Sequence, residues 1–164
     1  MKKILAAIDF SPTSSEALRV AEELTAACEG QLWLVHVAAP DPGFVGYDVG
    51  PQTVRDSRAH MLHKEHGQLQ KLASALRMKG LDTLSLLIQG PTVKKILEEA
   101  ERLEVDTIVI GSHGHGTFMK MLLGSVSGGV LKASKIPVMI VPSPAERPAG
   151  HAAESQRGVA AEDN

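Results

Sequence analysis

Short apolar runs alternate along the chain with segments whose apolar residues recur every three or four positions. The runs predict buried strands over residues 3–9, 31–37, 81–89, 106–110 and 137–141, and the segments between them predict amphipathic helices. Strands that are apolar throughout and alternate with helices favour a parallel sheet covered on both faces. A chain of 164 residues is long enough for one such domain.

Signals at the helix ends sharpen this prediction. Two start signals overlap before the first helix, namely Ser11 followed by Pro12 and a capping box from Thr13 to Glu16. Gly80 is predicted to end the long second helix. An irregular loop rich in Gly and Pro precedes that helix, up to about residue 52.

Composition excludes several classes of partner and location. The net charge is −2 and aromatic residues are scarce, so nucleic acid is not an expected partner. No run approaches the ~20 apolar residues of a membrane span, so a membrane is not expected either. The only cysteine, Cys28, cannot form an intrachain disulfide, which is consistent with a cytoplasmic protein. We expect a domain over residues 1–142, and the Pro, Ala, Glu and Gly of residues 143–164 predict a mobile tail.

The most informative segment follows the fourth predicted strand and reads Gly111-x2-Gly114-x9-Gly124-Ser125. Glycines at a strand-to-helix junction let backbone N–H groups approach an anion closely, and a helix N-terminus favours negative charge. Asp9 ends the first strand, and in a parallel sheet it would face the same cleft as Gly111. The spacing fits neither a Walker loop nor a dinucleotide fingerprint, yet it indicates a phosphate site.

This spacing, with the segments at residues 3–11, 34–37 and 136–142, resembles the ATP-binding branch of the universal stress protein family over about residues 1–142. The resemblance implies an α/β fold with an open five-stranded parallel sheet in the order 3-2-1-4-5, Rossmann-like and of the adenine-nucleotide alpha-hydrolase-like type. It implies ATP, or ADP or AMP, with or without Mg²⁺ or Mn²⁺. The residues that it assigns to the nucleotide are Asp9, Val37, Ile110, Gly111, Gly114, Gly124, Ser125, Val126 and Ser127. His113 and His115 lie in the glycine loop itself, where they are either exposed or donors to the phosphates.

The resemblance also implies a homodimer formed through the last strand, over Val138, Met139, Ile140 and Val141. A regulatory protein of the stress response, whose loops at residues 38–52 and 112–123 become ordered on binding, is the leading hypothesis. Its downstream protein partner is unknown. The alternatives are a slow ATPase or phosphotransferase, with Asp9, His113 and Lys120 as candidate groups, and a dimeric scaffold without nucleotide.

Several residues have a structural interpretation beside the functional one. Asp9 is alternatively a cap or turn residue, and the glycine loop is alternatively a flexible turn. Many relatives have arginine where this chain has His115, so Lys120 and Lys132 are the candidate cations for the phosphates.

The remaining histidines and the cysteine have mainly structural interpretations. His60, His63 and His66 follow one another at helical spacing, but solvated histidines are favoured over a metal site. His36 is predicted to be a core histidine, and Cys28 to pack on the apolar side of the first helix.

Overall fold

The computed structural model describes residues 2–38, 52–113 and 123–143, and for residues 52–55 it describes the backbone alone. The strands are β1 (Lys3–Ala7), β2 (Gln31–Ala38), β3 (Asp82–Gln89), β4 (Thr107–Gly111) and β5 (Val138–Val141). The helices are α1 (Pro12–Ala27), α2 (Gln52–Met78), α3 (Thr92–Arg102) and α4 (Ser125–Ala133). The predicted elements are present, with ends that move by one or two residues.

All strand pairs are parallel, and the sheet has the order β3-β2-β1-β4-β5. This order confirms the predicted one. In the register, Ala7 of β1 lies opposite Val35 on one side and Ile110 on the other. The strand order reverses between β1 and β4, and open α/β sheets form their ligand crevice at such a point.

The sheet separates two apolar cores because alternate strand residues point to opposite faces. On one face, Ile4, Ala6 and Ile8 pack with residues of α1 and α2 such as Ala21 and Leu69. On the other face, the main strand and helix residues are Leu5, Ala7, Val35, Ile108, Ile110, Ile96, Ala100 and Val130. Helices therefore cover both faces, as the pattern predicted.

The start of α1 resolves the two overlapping signals. Ser11 is the N-cap, and its Oγ accepts a hydrogen bond from the Ser14 N–H at 3.1 Å. Pro12 is the first helical residue, where its missing N–H costs nothing. The capping box predicted from Thr13 to Glu16 is therefore wrong, and Thr13 is instead buried.

Two packing predictions were also wrong. Cys28 caps the C-terminus of α1 and is exposed, so it does not belong to the apolar side of that helix. Ala133, predicted to face inward from α4, is exposed, whereas Ser127 and Val130 are buried.

Gly80 follows α2 with a φ of 85°, as its predicted role at the helix end requires.

In the segments that the structure describes, no helix combines the length and the apolar content needed to cross a bilayer. The loops proposed to become ordered on binding and the tail lie almost entirely outside those segments.

Candidate functional site

A cleft opens at the carboxyl ends of β1 and β4, where the strand order reverses, and has a volume of about 250 Å³. The turn after β1, the end of β2 and the first turns of α3 and α4 complete its wall. Nine of the predicted site residues line this cleft, namely Asp9, Val37, Ile110, Gly111, His113, Gly124, Ser125, Val126 and Ser127. Gly114 lies outside the described residues, as do His115 and Lys120.

The wall of the cleft divides by polarity. One part is aliphatic and comes from both strands and helices: Ala7, Ile8, Val35, Val37, Ile96, Ile110 and Val126. The polar part comprises Asp9, Ser14, Thr92, His113, Ser125 and Ser127. A ligand with a flat apolar part and a polar or charged part suits this division, because buried polar groups need partners and apolar groups do not.

The beginning of α4 offers hydrogen-bond donors to the cleft. Gly124 is the N-cap residue, and no side chain caps the first turn. The first helical hydrogen bond runs from the Gly128 N–H to the Gly124 carbonyl at 2.8 Å. The N–H groups of Ser125, Val126 and Ser127 therefore have no acceptor within the helix. Since all three residues line the cleft, this end of it favours an anion.

The carbonyl of Ser112 links the end of β4 to the start of α4. It accepts hydrogen bonds from the Gly124 N–H at 2.8 Å and from the Ser127 hydroxyl at 2.7 Å. Ser127 is 2% exposed, and its oxygen lies 3.1 Å from the Gly124 carbonyl. The hydroxyl of Ser127, expected to serve the phosphates, instead links α4 to the end of β4, and the backbone N–H of Ser127 has no acceptor within the helix.

The two described glycines of the motif are needed for packing. A Cβ on Gly124 would lie 3.1 Å from the Ser112 carbonyl oxygen and 3.4 Å from His113 Cα. A Cβ on Gly111 would lie 2.8 Å from Thr13 Cγ2, at the start of α1. Gly111 therefore lets α1 approach β4 closely, which is a different reason from the close approach of a ligand that the sequence suggested.

Asp9 is both a turn residue and a cleft residue. Its Oδ1 accepts a hydrogen bond from the Ser11 N–H at 2.9 Å, and its own N–H points to Ser14 Oγ at 3.4 Å. These bonds fix the turn between β1 and α1 and hold the carboxylate beside the cleft. The alternative that Asp9 shapes a turn is thus correct, and it does not compete with a role in binding.

The charged groups around the cleft are few. His113 is 9% exposed, and its Nδ1 lies 2.9 Å from Ser112 Oγ. Among the described residues that line the cleft there is no lysine or arginine. Lys132 lies in the last turn of α4, about 10 Å along the helix axis from Ser125 at 1.5 Å per residue. The prediction that Lys132 compensates the phosphates is therefore not supported by its position.

The histidines outside the cleft fall into two groups. His60, His63 and His66 are exposed on α2, as expected of solvated side chains. His36 is buried, with 7% exposed, as predicted for a core residue. In the described part of the chain, no three His, Cys, Asp or Glu side chains are grouped so as to hold a metal ion.

Comparison with known proteins identifies the family. A model of the universal stress protein family matches residues 1–142. The chain belongs to the universal stress protein family. Universal stress protein A homolog 2 of Coxiella burnetii is 34% identical over 142 residues, which are 85% of this chain and 94% of that protein.

Solved structures agree with this family membership. The structure of MJ0577 of Methanocaldococcus jannaschii has 27% identity and a TM-score of 0.68, covering 86% of this chain and 95% of that chain. A universal stress protein in complex with cAMP has 23% identity and a TM-score of 0.63, covering 87% of this chain and 97% of that chain. The latter likeness shows the shared fold.

Some cleft residues were missed by sequence reasoning. They are Ala7, Ile8, Ser14, Val35, Thr92 and Ile96. Val35 could have been found, since it lies two residues before Val37 and so points to the same face of β2. Thr92 and Ile96 belong to α3, whose start at the carboxyl edge of the sheet follows from any βαβ arrangement.

Proposed function

We propose that this universal stress protein family member binds an adenine nucleotide, ATP foremost, in the cleft between β1 and β4 and acts as a homodimeric regulatory protein. The observation that carries the proposal is the start of α4, where three N–H groups without helical acceptors adjoin an otherwise largely aliphatic cleft. That a relative of this fold is in complex with cAMP adds support for the ligand class.

In this proposal the adenosine occupies the aliphatic part. The base lies against Ile110 and Val126, and the backbone of Val37 meets its polar edge. The Asp9 carboxylate accepts hydrogen bonds from the ribose hydroxyls, and its fixed turn means that little ordering is needed on binding.

The phosphates lie at the N-terminus of α4, near Gly111 and Gly124. They accept from the N–H groups of Ser125, Val126 and Ser127, and His113 and Gly114 complete the site. Asp9 supplies the one carboxylate of the described cleft residues, which does not make a cation site by itself. Mg²⁺ or Mn²⁺ would therefore enter on the phosphates, which it prefers as ligands.

The homodimer is proposed through β5. Within the described sheet β5 is an edge strand, and Met139 on it is 38% exposed. An apolar edge strand is stabilised by covering it with a second chain. Nucleotide bound beside β4 would be close enough to alter this surface, because β4 pairs directly with β5.

The experiment that tests the ligand is identification of nucleotides carried through purification. Freshly purified protein is denatured, and the released small molecules are separated by HPLC and identified by mass spectrometry. We expect adenine nucleotides in the protein fraction, and clearly less in that of the Gly124→Val variant. Release of no nucleotide from the wild type, together with no binding of added ATP, would overturn the proposal and favour the nucleotide-free scaffold.

A further inference from the structure

His36 lies on the face of the sheet opposite the cleft. Along β2 it alternates with Val35 and Val37, which line the cleft, so its ring points to the side covered by α1 and α2. The imidazole is nearly fully buried and has two polar neighbours. Nδ1 lies 2.6 Å from the carbonyl oxygen of Ile8, and Nε2 lies 3.6 Å from Glu65 Oε2 on α2.

These two neighbours constrain the protons of the ring. A carbonyl oxygen only accepts, so Nδ1 carries a proton and donates to Ile8. The Glu65 carboxylate also only accepts when ionised, and Nε2 has no hydrogen-bond partner at the observed distance. When Nε2 also carries a proton, the positive ring attracts the Glu65 carboxylate. When Nε2 carries none, it faces the carboxylate as a second acceptor and the two repel each other.

The ring is also joined to both neighbours of Asp9. Ile8 precedes Asp9, and besides its contact with His36 it donates its N–H to the Val35 carbonyl at 2.8 Å. Phe10 follows Asp9 and has a φ of 61°, a left-handed conformation that costs free energy in a residue other than glycine. Its ring packs on the imidazole, with the centroids 4.6 Å apart.

From this geometry we infer that His36 is a positioning residue for the proposed nucleotide site: held by Glu65 on α2, it fixes the turn that presents Asp9 to the cleft. The effect on nucleotide affinity rests on the proposed function, whereas the effect on the turn around Asp9 does not. Because each ring nitrogen faces one of these two neighbours, loss of either contact is expected to loosen the turn.

The structural part is tested by NMR on the full chain without nucleotide. Glu65→Ala removes the contact with Nε2, and we expect it to shift the amide signals of Asp9 and Ser11. In a His36→Asn background, where the amide nitrogen replaces Nδ1 as donor to Ile8, the same Glu65→Ala change should leave these signals in place. Glu22→Ala, which breaks the separate pair with Lys79, should shift them in neither background.

The functional part is tested by calorimetric titration with ATP. We expect Glu65→Ala to raise the dissociation constant about fivefold, as fits the loss of one partly exposed polar pair. His63→Asn, at an exposed position of the same helix, is the reference and should bind ATP as the wild type does.

Two variants separate positioning from mere stability. Glu65→Gln keeps the side-chain length and supplies an amide that donates to Nε2, so affinity should stay close to that of the wild type. Glu22→Gln removes the carboxylate of a different interhelical pair, with Lys79, and should behave as wild type. In an Asp9→Asn background, His36→Asn should have no further effect on affinity.

The outcomes are distinguishable. If Glu65→Ala binds ATP as tightly as the wild type does, or if the Asp9 and Ser11 signals do not respond to it, the inference is overturned while nucleotide binding stands. If the wild type binds no ATP at all, the proposed function fails, and the NMR comparison alone decides whether His36 positions Asp9.

Discussion

Substitution of Gly124 by valine tests the proposed phosphate site most sharply. The Cβ alone would lie 3.1 Å from the Ser112 carbonyl oxygen and 3.4 Å from both His113 Cα and Ser127 Oγ. Two of these neighbours are backbone atoms that cannot rotate away, and valine adds two methyl groups beyond Cβ. The change must therefore push α4 away from the end of β4 and lengthen the 2.8 Å hydrogen bond from the Gly124 N–H.

The expected effect falls on affinity more than on folding. Overpacking at such a junction costs about 1–3 kcal/mol of stability. Hydrogen bonds to a charged group contribute about 1.5–3 kcal/mol each. Displacing the start of α4 by enough to lose one of them weakens ATP binding at least about tenfold. Calorimetric titration measures the affinity, and thermal unfolding shows that the variant is folded.

Gly128→Ala is the matched control. A Cβ on Gly128, within α4, would meet Leu123 Cβ just before the helix at 3.7 Å, which is an ordinary contact. Alanine in place of glycine inside a helix raises stability by roughly 0.5–1 kcal/mol. This variant should bind ATP as the wild type does and melt slightly higher. A folded Gly124→Val protein with wild-type affinity would refute the reasoning, because the phosphates would then not depend on this helix start.

Three further predictions concern Asp9, β5 and the acidic limit of stability. Asp9→Asn keeps an oxygen that accepts from the Ser11 N–H, so the melting temperature should not change. The affinity for ATP should fall about tenfold, because the carboxylate is proposed to accept hydrogen bonds from the ribose hydroxyls. Unchanged affinity would mean that Asp9 only shapes the turn. Met139→Lys should convert the dimer into monomers, as measured by light scattering. Leu84 on the opposite edge strand is also 38% exposed, and Leu84→Lys should leave the dimer intact. If both variants remain dimeric, β5 does not form the dimer interface. Hydrogen bonds from the Lys3 N–H and from the Lys2 ammonium lower the pKa of the Asp106 carboxyl. The ionised carboxylate therefore stabilises the fold at pH values above its ordinary range near 4, and this contribution is lost as the pH falls through the lowered pKa. Asp106→Asn should make stability less dependent on pH in that acidic range, and an unaltered acid unfolding transition would contradict this.

The fold was largely predictable because its signals are local. Buried strands that alternate with amphipathic helices leave few arrangements, and the order of the strands agreed with the one implied by the family resemblance. Helix ends were less predictable where two signals overlapped. Both Ser11 and Thr13 can cap a helix, and in the folded chain Ser11 does so, whereas Thr13 is buried beside Gly111.

The site was predictable in its residues but less so in their roles. The cleft brings together nine predicted residues from four parts of the chain, because all of these parts end at one edge of the sheet. The reason for Gly111 and the hydrogen bonds of the Ser127 hydroxyl could not be predicted, since both depend on neighbours distant in sequence. The link from His36 to the turn around Asp9 was invisible for the same reason.

The central claim is that the cleft between β1 and β4 binds an adenine nucleotide. The most direct measurement is calorimetric titration of ATP with Mg²⁺ into wild-type protein stripped of nucleotide, beside the same titration into Gly124→Val. The account predicts one site per chain with a micromolar dissociation constant, and a loss of at least about tenfold in the variant. No heat of binding at millimolar ATP, or identical isotherms for the two proteins, would contradict it.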